Sequence, residues 1–140
     1  MQRVNVTATF LFCRALVPAM KAKGWGRIVN MSSQAGRTKS HVASAAYAAS
    51  KAAVLGFTRT MAYEVAASGI TANCIAPGRI DTPLAAVAGK ELNNAYAAEI
   101  PVGRLGTPED IAAATDFLVS DAASFLTGIT IDATGGYLMI

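Results

Sequence analysis

Apolar residues along the chain recur with helical spacing in some stretches and form short continuous runs in others. The helical spacing predicts a first helix over residues 5–23, in which Pro18 should kink the helix or begin its last turn. A second helix is predicted over residues 44–67, where the apolar positions are spaced three, four and four residues apart at Val54, Phe57, Met61 and Val65. A third is predicted from Thr107, a helix cap followed by proline and two acids, to about residue 119.

The short apolar runs predict three strands, over residues 27–32, 70–76 and 129–132. Because helices separate them, the strands are expected to pair in parallel through right-handed crossovers, which gives an α/β fold. Residues 79–106 contain several prolines and glycines and predict a long excursion with one short helix near residues 90–98.

Composition narrows the classes of protein to which the chain can belong. With 53% hydrophobic and 15% charged residues, the 140-residue chain is typical of one folded domain. The net charge of +3 comes from scattered lysines and arginines without a dense basic run, so no nucleic-acid partner is expected. No apolar run approaches the ~20 residues that span a bilayer, and the first residues lack a signal-peptide pattern, so no membrane association is expected.

The few metal-binding and redox-active residues do not form a site. Cys13 and Cys74 each lie among apolar residues at unrelated positions, which predicts reduced core thiols in a cytoplasmic protein. His41 is the only histidine, so no multi-histidine metal site is expected.

The most informative stretch is Tyr47-Ala48-Ala49-Ser50-Lys51, at the start of the second predicted helix. A spacing of four residues places Tyr47 and Lys51 on one helical face. A nearby ammonium group favours the phenolate form and lowers the pKa of a tyrosine, which would make Tyr47 a usable general acid or base. In isolation this spacing is common and is also typical of two neighbouring surface residues.

The chain resembles the short-chain dehydrogenases/reductases over essentially all 140 residues. The resemblance depends on several motifs in the family's order: the V-N-V-T context of Asn5, the strand that ends at Ser33, Tyr47 with Lys51, the N-x-x-x-P-G-x-I-x-T segment at 73–82, residues 103–111, and Asp132 with Gly135-Gly136. Each motif is weak alone, and together they are specific. The most similar branch includes the 3-oxoacyl-carrier-protein reductases, and the implied fold is the C-terminal portion of a Rossmann-like, doubly wound parallel sheet.

The resemblance implies a catalytic role for four residues. Tyr47 would donate a proton to a substrate carbonyl or take one from an alcohol, and Lys51 would favour the phenolate and bond the nicotinamide ribose. Ser33 would bond the substrate oxygen, with Ser32 as the alternative serine. Asn5 would hold a water that links Lys51 to solvent.

The resemblance also implies a nicotinamide cofactor, NAD or NADP, that contacts the Tyr47–Lys51 pair and four further residues, namely Pro77, Gly78, Ile80 and Thr82. Gly78 would allow close backbone approach. Arg79 could face either substrate or solvent. The expected reaction is hydride transfer between the nicotinamide and a carbonyl or secondary alcohol in a small molecule, and the loop at residues 90–99 is where family substrates vary.

The glycine-rich turn of a dinucleotide site is missing from the sequence, because Gly24-Trp25-Gly26 follows a helix and precedes a strand. Residues 1–140 are therefore expected to form part of a dinucleotide-binding domain, without its glycine-rich half and with an unpaired edge at the first strand.

An alternative function is that of a non-catalytic remnant that pairs with itself or with an intact subunit. The two long helices resemble those of the family's subunit interfaces, so a dimer or tetramer is expected. An extended-family epimerase shares the Tyr–Lys spacing, but the short distance from Pro77-Gly78 to the end argues against it.

Overall fold

A computed structural model describes all residues, 1–140, as three strands and five α-helices joined by short turns. The strands are β1 (Gly26–Met31), β2 (Ile70–Pro77) and β3 (Thr130–Ala133). The α-helices are α1 (Ala8–Lys23), α2 (Ala45–Val65), α3 (Pro83–Val87), α4 (Lys90–Glu99) and α5 (Pro108–Val119). Shorter helical turns cover Arg3–Thr7, Gln34–Gly36, Ala66–Ser68 and Asp121–Ala123.

The three strands form one parallel sheet in the order β1-β2-β3. In the register, Gly26 lies opposite Ile70 and Cys74 opposite Thr130. The predicted parallel α/β architecture is confirmed, with strand bounds that differ from the prediction by at most one residue. The outer edge of β1 pairs with no strand, as predicted.

The central strand is buried along its length, from Ile70 to Ala76, so helices must cover both of its faces. On one face, α1 and α2 pack against β2 through Cys13, Met61 and Val65. Helix α5 contacts β1 and β2 outside that cluster and covers the other face. Cys13 and Cys74 are buried free thiols, as predicted, and burial raises the pKa of both.

Helix α2 carries the predicted apolar stripe, and after it the chain turns at Gly69. Val54, Met61 and Val65 are buried, and Phe57 packs partly buried beside them. Gly69 has φ +72°, and a Cβ at this position would lie 2.2 Å from the carbonyl oxygen of Gly24. Only glycine fits there, which fixes the turn between α2 and β2.

Two helices differ from the prediction. The first begins earlier, as a π-helical turn over Arg3–Thr7 that continues into α1, and Pro18 lies within α1 without ending it. The predicted single helix in residues 79–106 was wrong, because α3 precedes α4. Thr82 caps α3 by accepting a hydrogen bond from the Ala85 amide, and Gly89, with φ +90°, separates the two helices.

An ion pair joins the segment after β1 to β3. Arg37 Nε lies 2.8 Å from Asp132 Oδ1, and the two side chains are 23% and 16% exposed. The N–H is not aligned with the oxygen, so the contact is an ion pair without a well-formed hydrogen bond. A second pair, Arg27 with Asp121 at 3.2 Å, has its acid 90% exposed.

Helix α5 begins with the predicted cap. Thr107 Oγ1 accepts a hydrogen bond from the Asp110 amide, and Asp110 accepts one from the Thr107 amide, which is a capping box. Arg104 donates two hydrogen bonds to the Asp110 carboxylate. Those bonds, together with the Thr107 amide, hold the pKa of Asp110 well below its ordinary value.

None of the helices combines the length and the apolar character that a membrane crossing requires.

Asp110→Asn is expected to lower the urea midpoint of unfolding at neutral pH. The pKa of Asp110 is lower in the folded protein than in the unfolded chain, so the ionised carboxylate stabilises the fold. This contribution is complete at pH values above the ordinary carboxyl pKa of about 3.9, and it is lost as the pH falls through the lowered folded-state pKa. The difference from the unmodified chain should therefore narrow below about pH 4. Glu109→Gln, one residue earlier and without an ion pair, is the control, and a difference that stays constant with pH would contradict the assignment.

Asp132→Asn is expected to destabilise the fold by about 1–3 kcal/mol, because it leaves the half-buried guanidinium of Arg37 without its counter-charge. Urea unfolding measures the loss. Asp121→Asn removes an acid that is 90% exposed, and Arg27, although only 7% exposed, keeps its hydrogen bonds to the Gly26 and Gly69 carbonyls, so the loss should be less than about 1 kcal/mol. Equal losses in the two variants would show that burial of the acid does not strengthen the Arg37–Asp132 contact.

Candidate active site

Three of the predicted site residues, Ser33, Tyr47 and Gly78, lie near the carboxyl ends of β1 and β2, where ligands bind in open α/β sheets. A cavity of about 520 Å³ opens at this edge. Its lining combines residues that follow β1, the first turn of α2 and the segment after β2, namely Ser33, Gln34, Tyr47, Gly78, Arg79, Leu84 and Tyr96. Three segments that are distant in the sequence therefore contribute to one concave surface.

Tyr47 lies in the first turn of α2, and Lys51 follows one turn later. Ser44 caps the helix by accepting a hydrogen bond from the Tyr47 amide at 3.2 Å. Lys51 Nζ lies 5.8 Å from the centroid of the Tyr47 ring. The two side chains thus share one face of α2, as the spacing predicts, and Tyr47 lies at the positive end of the helix dipole.

Lys51 joins α2 to the end of β1. Its Nζ donates a hydrogen bond to the Met31 carbonyl at 2.9 Å, and its own carbonyl accepts one from Ser32 Oγ at 2.9 Å. A Cβ at Gly36 would lie 2.7 Å from the Lys51 carbonyl carbon, so only glycine lets this segment approach α2 so closely. Burial lowers the pKa of Lys51. The lysine holds the residues after β1 in place beside Tyr47.

The two candidate serines have different hydrogen-bond arrangements. The hydroxyl of Ser32 is buried and donates to the Lys51 carbonyl, so its one proton is used within the protein. Ser33 lines the cavity with Tyr47, and its Oγ accepts a hydrogen bond from the Ala35 amide at 3.2 Å. Accepting that bond leaves the Ser33 proton available for donation to a ligand.

Asn5 lies in the π-helical turn before α1 and reaches α2. Its Nδ2 donates to Ser50 Oγ at 2.9 Å, and Ser50 Oγ in turn donates to the Tyr47 carbonyl at 2.7 Å. The backbone carbonyl of Asn5 accepts from Thr9 Oγ1. Asn5 therefore contacts α2 through Ser50, one residue before Lys51, and its expected role in holding a water stays a prediction.

The segment after β2 lies along the same edge. The Gly78 amide donates to the Ala133 carbonyl, and a Cβ at Gly78 would lie 3.1 Å from Thr134 and 3.2 Å from Gln34. Ile80 bridges to Gly106, and Thr82 caps α3. Pro77 is the last residue of β2. Their expected contacts with a cofactor stay predictions.

Two residues of the cavity were not assigned by the sequence prediction. Gln34 is 9% exposed, and its Oε1 has no hydrogen-bond partner. Arg79, which the sequence left between substrate and solvent, lines the cavity beside Tyr96. The position of Gln34, between the serine and Gly36, was the available signal for its presence here.

The donor groups fit the nicotinamide–ribose end of a dinucleotide. Lys51 Nζ has one protein acceptor, the Met31 carbonyl, which leaves two of its three N–H groups for ribose hydroxyls. A Cβ at Gly78 would be tightly packed against Thr134 at 3.1 Å, so the neighbouring atoms would have to shift slightly to accept a side chain. The sequence has no glycine-rich turn to hold a pyrophosphate, so the fit is limited to this end of the cofactor.

Comparisons with known proteins find several similar reductases. A family model described as enoyl-(acyl carrier protein) reductase matches residues 1–138. A 3-oxoacyl-[acyl-carrier-protein] reductase of Vibrio cholerae is 43% identical over 136 residues, which cover 97% of this chain and 55% of that protein. An acetoacetyl-CoA reductase of Rhizobium meliloti is 47% identical over 133 residues, which cover 94% of this chain and 55% of that protein.

Solved structures show the same fold. The crystal structure of a 3-oxoacyl-[acyl-carrier protein] reductase from Brucella melitensis has a TM-score of 0.93 at 43% identity, covering 96% of this chain and 51% of that one. A second structure, described as such a reductase from Brucella melitensis with bound NAD, has a TM-score of 0.90 at 42% identity, covering 97% of this chain and 50% of that one. The chain spans about half the length of the curated relatives that it matches. With the family model matching nearly all of it and relatives above 40% identity, this chain belongs to the short-chain dehydrogenase/reductase family.

Proposed function

We propose that this chain carries the proton-transfer half of an NAD- or NADP-dependent reductase that interconverts a carbonyl and a secondary alcohol, as the similar 3-oxoacyl-carrier-protein reductases suggest. The main support is that Tyr47 and Ser33 line one cavity while the Lys51 ammonium lies beside the phenol ring. That combination supplies a proton, a second hydrogen-bond donor and a positive charge at one point.

In the reductive direction, Ser33 Oγ donates a hydrogen bond to the carbonyl oxygen and orients the substrate. The Tyr47 hydroxyl gives its proton to that oxygen as negative charge develops there. The Lys51 ammonium and the positive end of the α2 dipole stabilise the phenolate that remains. When bound, the reduced nicotinamide supplies the hydride to the carbonyl carbon.

Residues 1–140 are proposed to be the catalytic part of a dinucleotide-binding domain. Lys51 would bond the nicotinamide ribose, and Pro77, Gly78, Ile80 and Thr82 would line the nicotinamide end. Asn5, linked to α2 through Ser50, is proposed to position the water that reprotonates Lys51. The support is that Lys51 is bonded to the end of β1, that Pro77 ends β2, and that Gly78 lines the cavity with Tyr47.

A second candidate is self-association, alone or beside the enzymatic role. Helix α1 exposes four large apolar side chains, namely Phe10, Leu11, Phe12 and Leu16. A groove of about 350 Å³ between α1 and α2 is lined by Phe10, Val17, Phe57 and Met61, among others. Exposed apolar area of this kind favours an interface, which suits a homo-oligomer built through these two helices.

Tyr47→Phe is expected to lower turnover by a factor of about 10²–10⁴, because it removes the proton donor and keeps the ring. The assay uses a chimera that joins the N-terminal part of the Vibrio cholerae reductase to this chain, with a 3-oxoacyl thioester and NADH or NADPH. Tyr63→Phe, on the same helix and 89% exposed, is the control and should leave turnover unchanged. Retained turnover in a folded Tyr47→Phe chimera would refute the assigned acid.

Lys51→Ala is expected to weaken NADH and NADPH binding to the chimera by about tenfold, because it removes charge-assisted hydrogen bonds to the ribose. Fluorescence titration measures the affinity, and Lys23→Ala, at the end of α1, is the control.

The same titration on the 140-residue chain distinguishes the enzymatic role from self-association alone. Saturable binding supports the enzymatic role, whereas no binding, with oligomers seen by sedimentation, supports self-association alone.

A further inference from the structure

Arg79 follows Pro77-Gly78 at the end of β2 and is held in place by neutral groups. Its Nε and Nη2 donate to Asn93 Oδ1 at 3.0 and 2.8 Å, and Nη2 also donates to the Ala85 carbonyl at 3.3 Å. The guanidinium lies over the Tyr96 ring, 5.4 Å from its centroid. These contacts fix its position relative to α3 and α4.

The charge of Arg79 has no counter-charge in the protein. No carboxylate lies within ion-pair distance of it, whereas Arg27, Arg37 and Arg104 each have an acid partner. No acidic side chain lines the cavity that Arg79 shares with Tyr47 and Ser33. Asn93 and a backbone carbonyl occupy one edge of the guanidinium, and Nη1 makes no hydrogen bond with the protein. A fixed, half-buried cation with donors to spare is suited to an anionic ligand.

Gln34 supplies a second unmatched polar group in the same cavity. Its side chain is nine-tenths buried, and its amide oxygen has no donor in the protein. That oxygen is itself buried and is an acceptor, so it adds no donor for an anion, and Arg79 is left as the charged group of the cavity. Val42, Ala43 and Leu84 line the rest of the cavity with apolar surface.

We propose that Arg79 binds a free carboxylate on the substrate, so that the cavity accepts a small oxo acid and its hydroxy acid. The inference rests on the proposed function for its reaction. Hydride from the reduced nicotinamide forms the new C–H bond, the Tyr47 proton forms the O–H bond, and the nicotinamide is oxidised. Arg79 takes no part in these transfers; it selects and orients the acid by its charge.

The test compares two ligands that differ in one charge, acetoacetate and methyl acetoacetate. Isothermal titration calorimetry on the 140-residue chain and on the chimera, each with and without NAD⁺, which cannot reduce either ketone, should show the acid binding about tenfold more tightly than the ester. Arg79→Gln should remove that preference, and Arg79→Lys should keep part of it. Arg59→Gln, an exposed arginine on α2, is the control and should keep all of it.

Equal binding of acid and ester by the unmodified protein, or no binding of the acid under any of these conditions, overturns the proposal without any variant. A folded Arg79→Gln variant that keeps the preference also overturns it. Failure of the proposed function appears elsewhere, as retained turnover in Tyr47→Phe. The two experiments are independent. Acid-selective binding through Arg79 can be observed even if Tyr47→Phe keeps its turnover. Conversely, Tyr47→Phe can lose its turnover while the protein shows no preference for the acid.

Discussion

The candidate site depends on the contacts of one residue, Lys51, with the carboxyl end of β1. Its ammonium bonds the Met31 carbonyl and its own carbonyl accepts the Ser32 hydroxyl, so the two residues that precede Ser33 are both tied to α2. Gly36 packs against the Lys51 backbone on the other side of Ser33. The serine is therefore held on the same helix that carries Tyr47, and the lysine that places a charge beside the phenol also sets the geometry around it.

This arrangement explains why neighbouring polar groups have separate roles. Ser32 and Ser50 have used their hydroxyl protons in hydrogen bonds to backbone carbonyls, of Lys51 and Tyr47 respectively, and so hold the backbone of α2. Ser33 keeps its proton and lines the cavity with Tyr47. A site that needs a fixed donor gains from hydroxyl groups that fasten its surroundings, because a misplaced donor would stabilise the reacting oxygen poorly.

The sequence was sufficient to predict the elements whose signals are local. The stripe at Val54, Met61 and Val65 gave α2, Thr107 with its proline gave the start of α5, and β-branched residues between helices gave a parallel sheet. It was not sufficient for α3, a five-residue helix whose existence depends on the Thr82 cap and on packing against α4. Periodicity cannot reveal a helix of little more than one turn.

In the candidate site too, only the features with a local signal could be predicted from the sequence. The four-residue spacing put Tyr47 and Lys51 on one face, whereas the choice between Ser32 and Ser33 required knowing which hydroxyl was already bonded. The ion pair of Arg37 with Asp132 joins residues 95 positions apart, and the orphaned amide of Gln34 depends on three-dimensional neighbours. Long-range polar contacts of this kind leave no periodic trace in a sequence.

The most direct test of the account is a crystal structure of the chimera with NADH and an unreactive ketone. The account predicts that the ketone oxygen lies within about 3 Å of both Tyr47 Oη and Ser33 Oγ, with Lys51 Nζ bonded to the nicotinamide ribose. A ketone oxygen bound away from the phenol, or a serine hydroxyl pointing elsewhere in that complex, would contradict it.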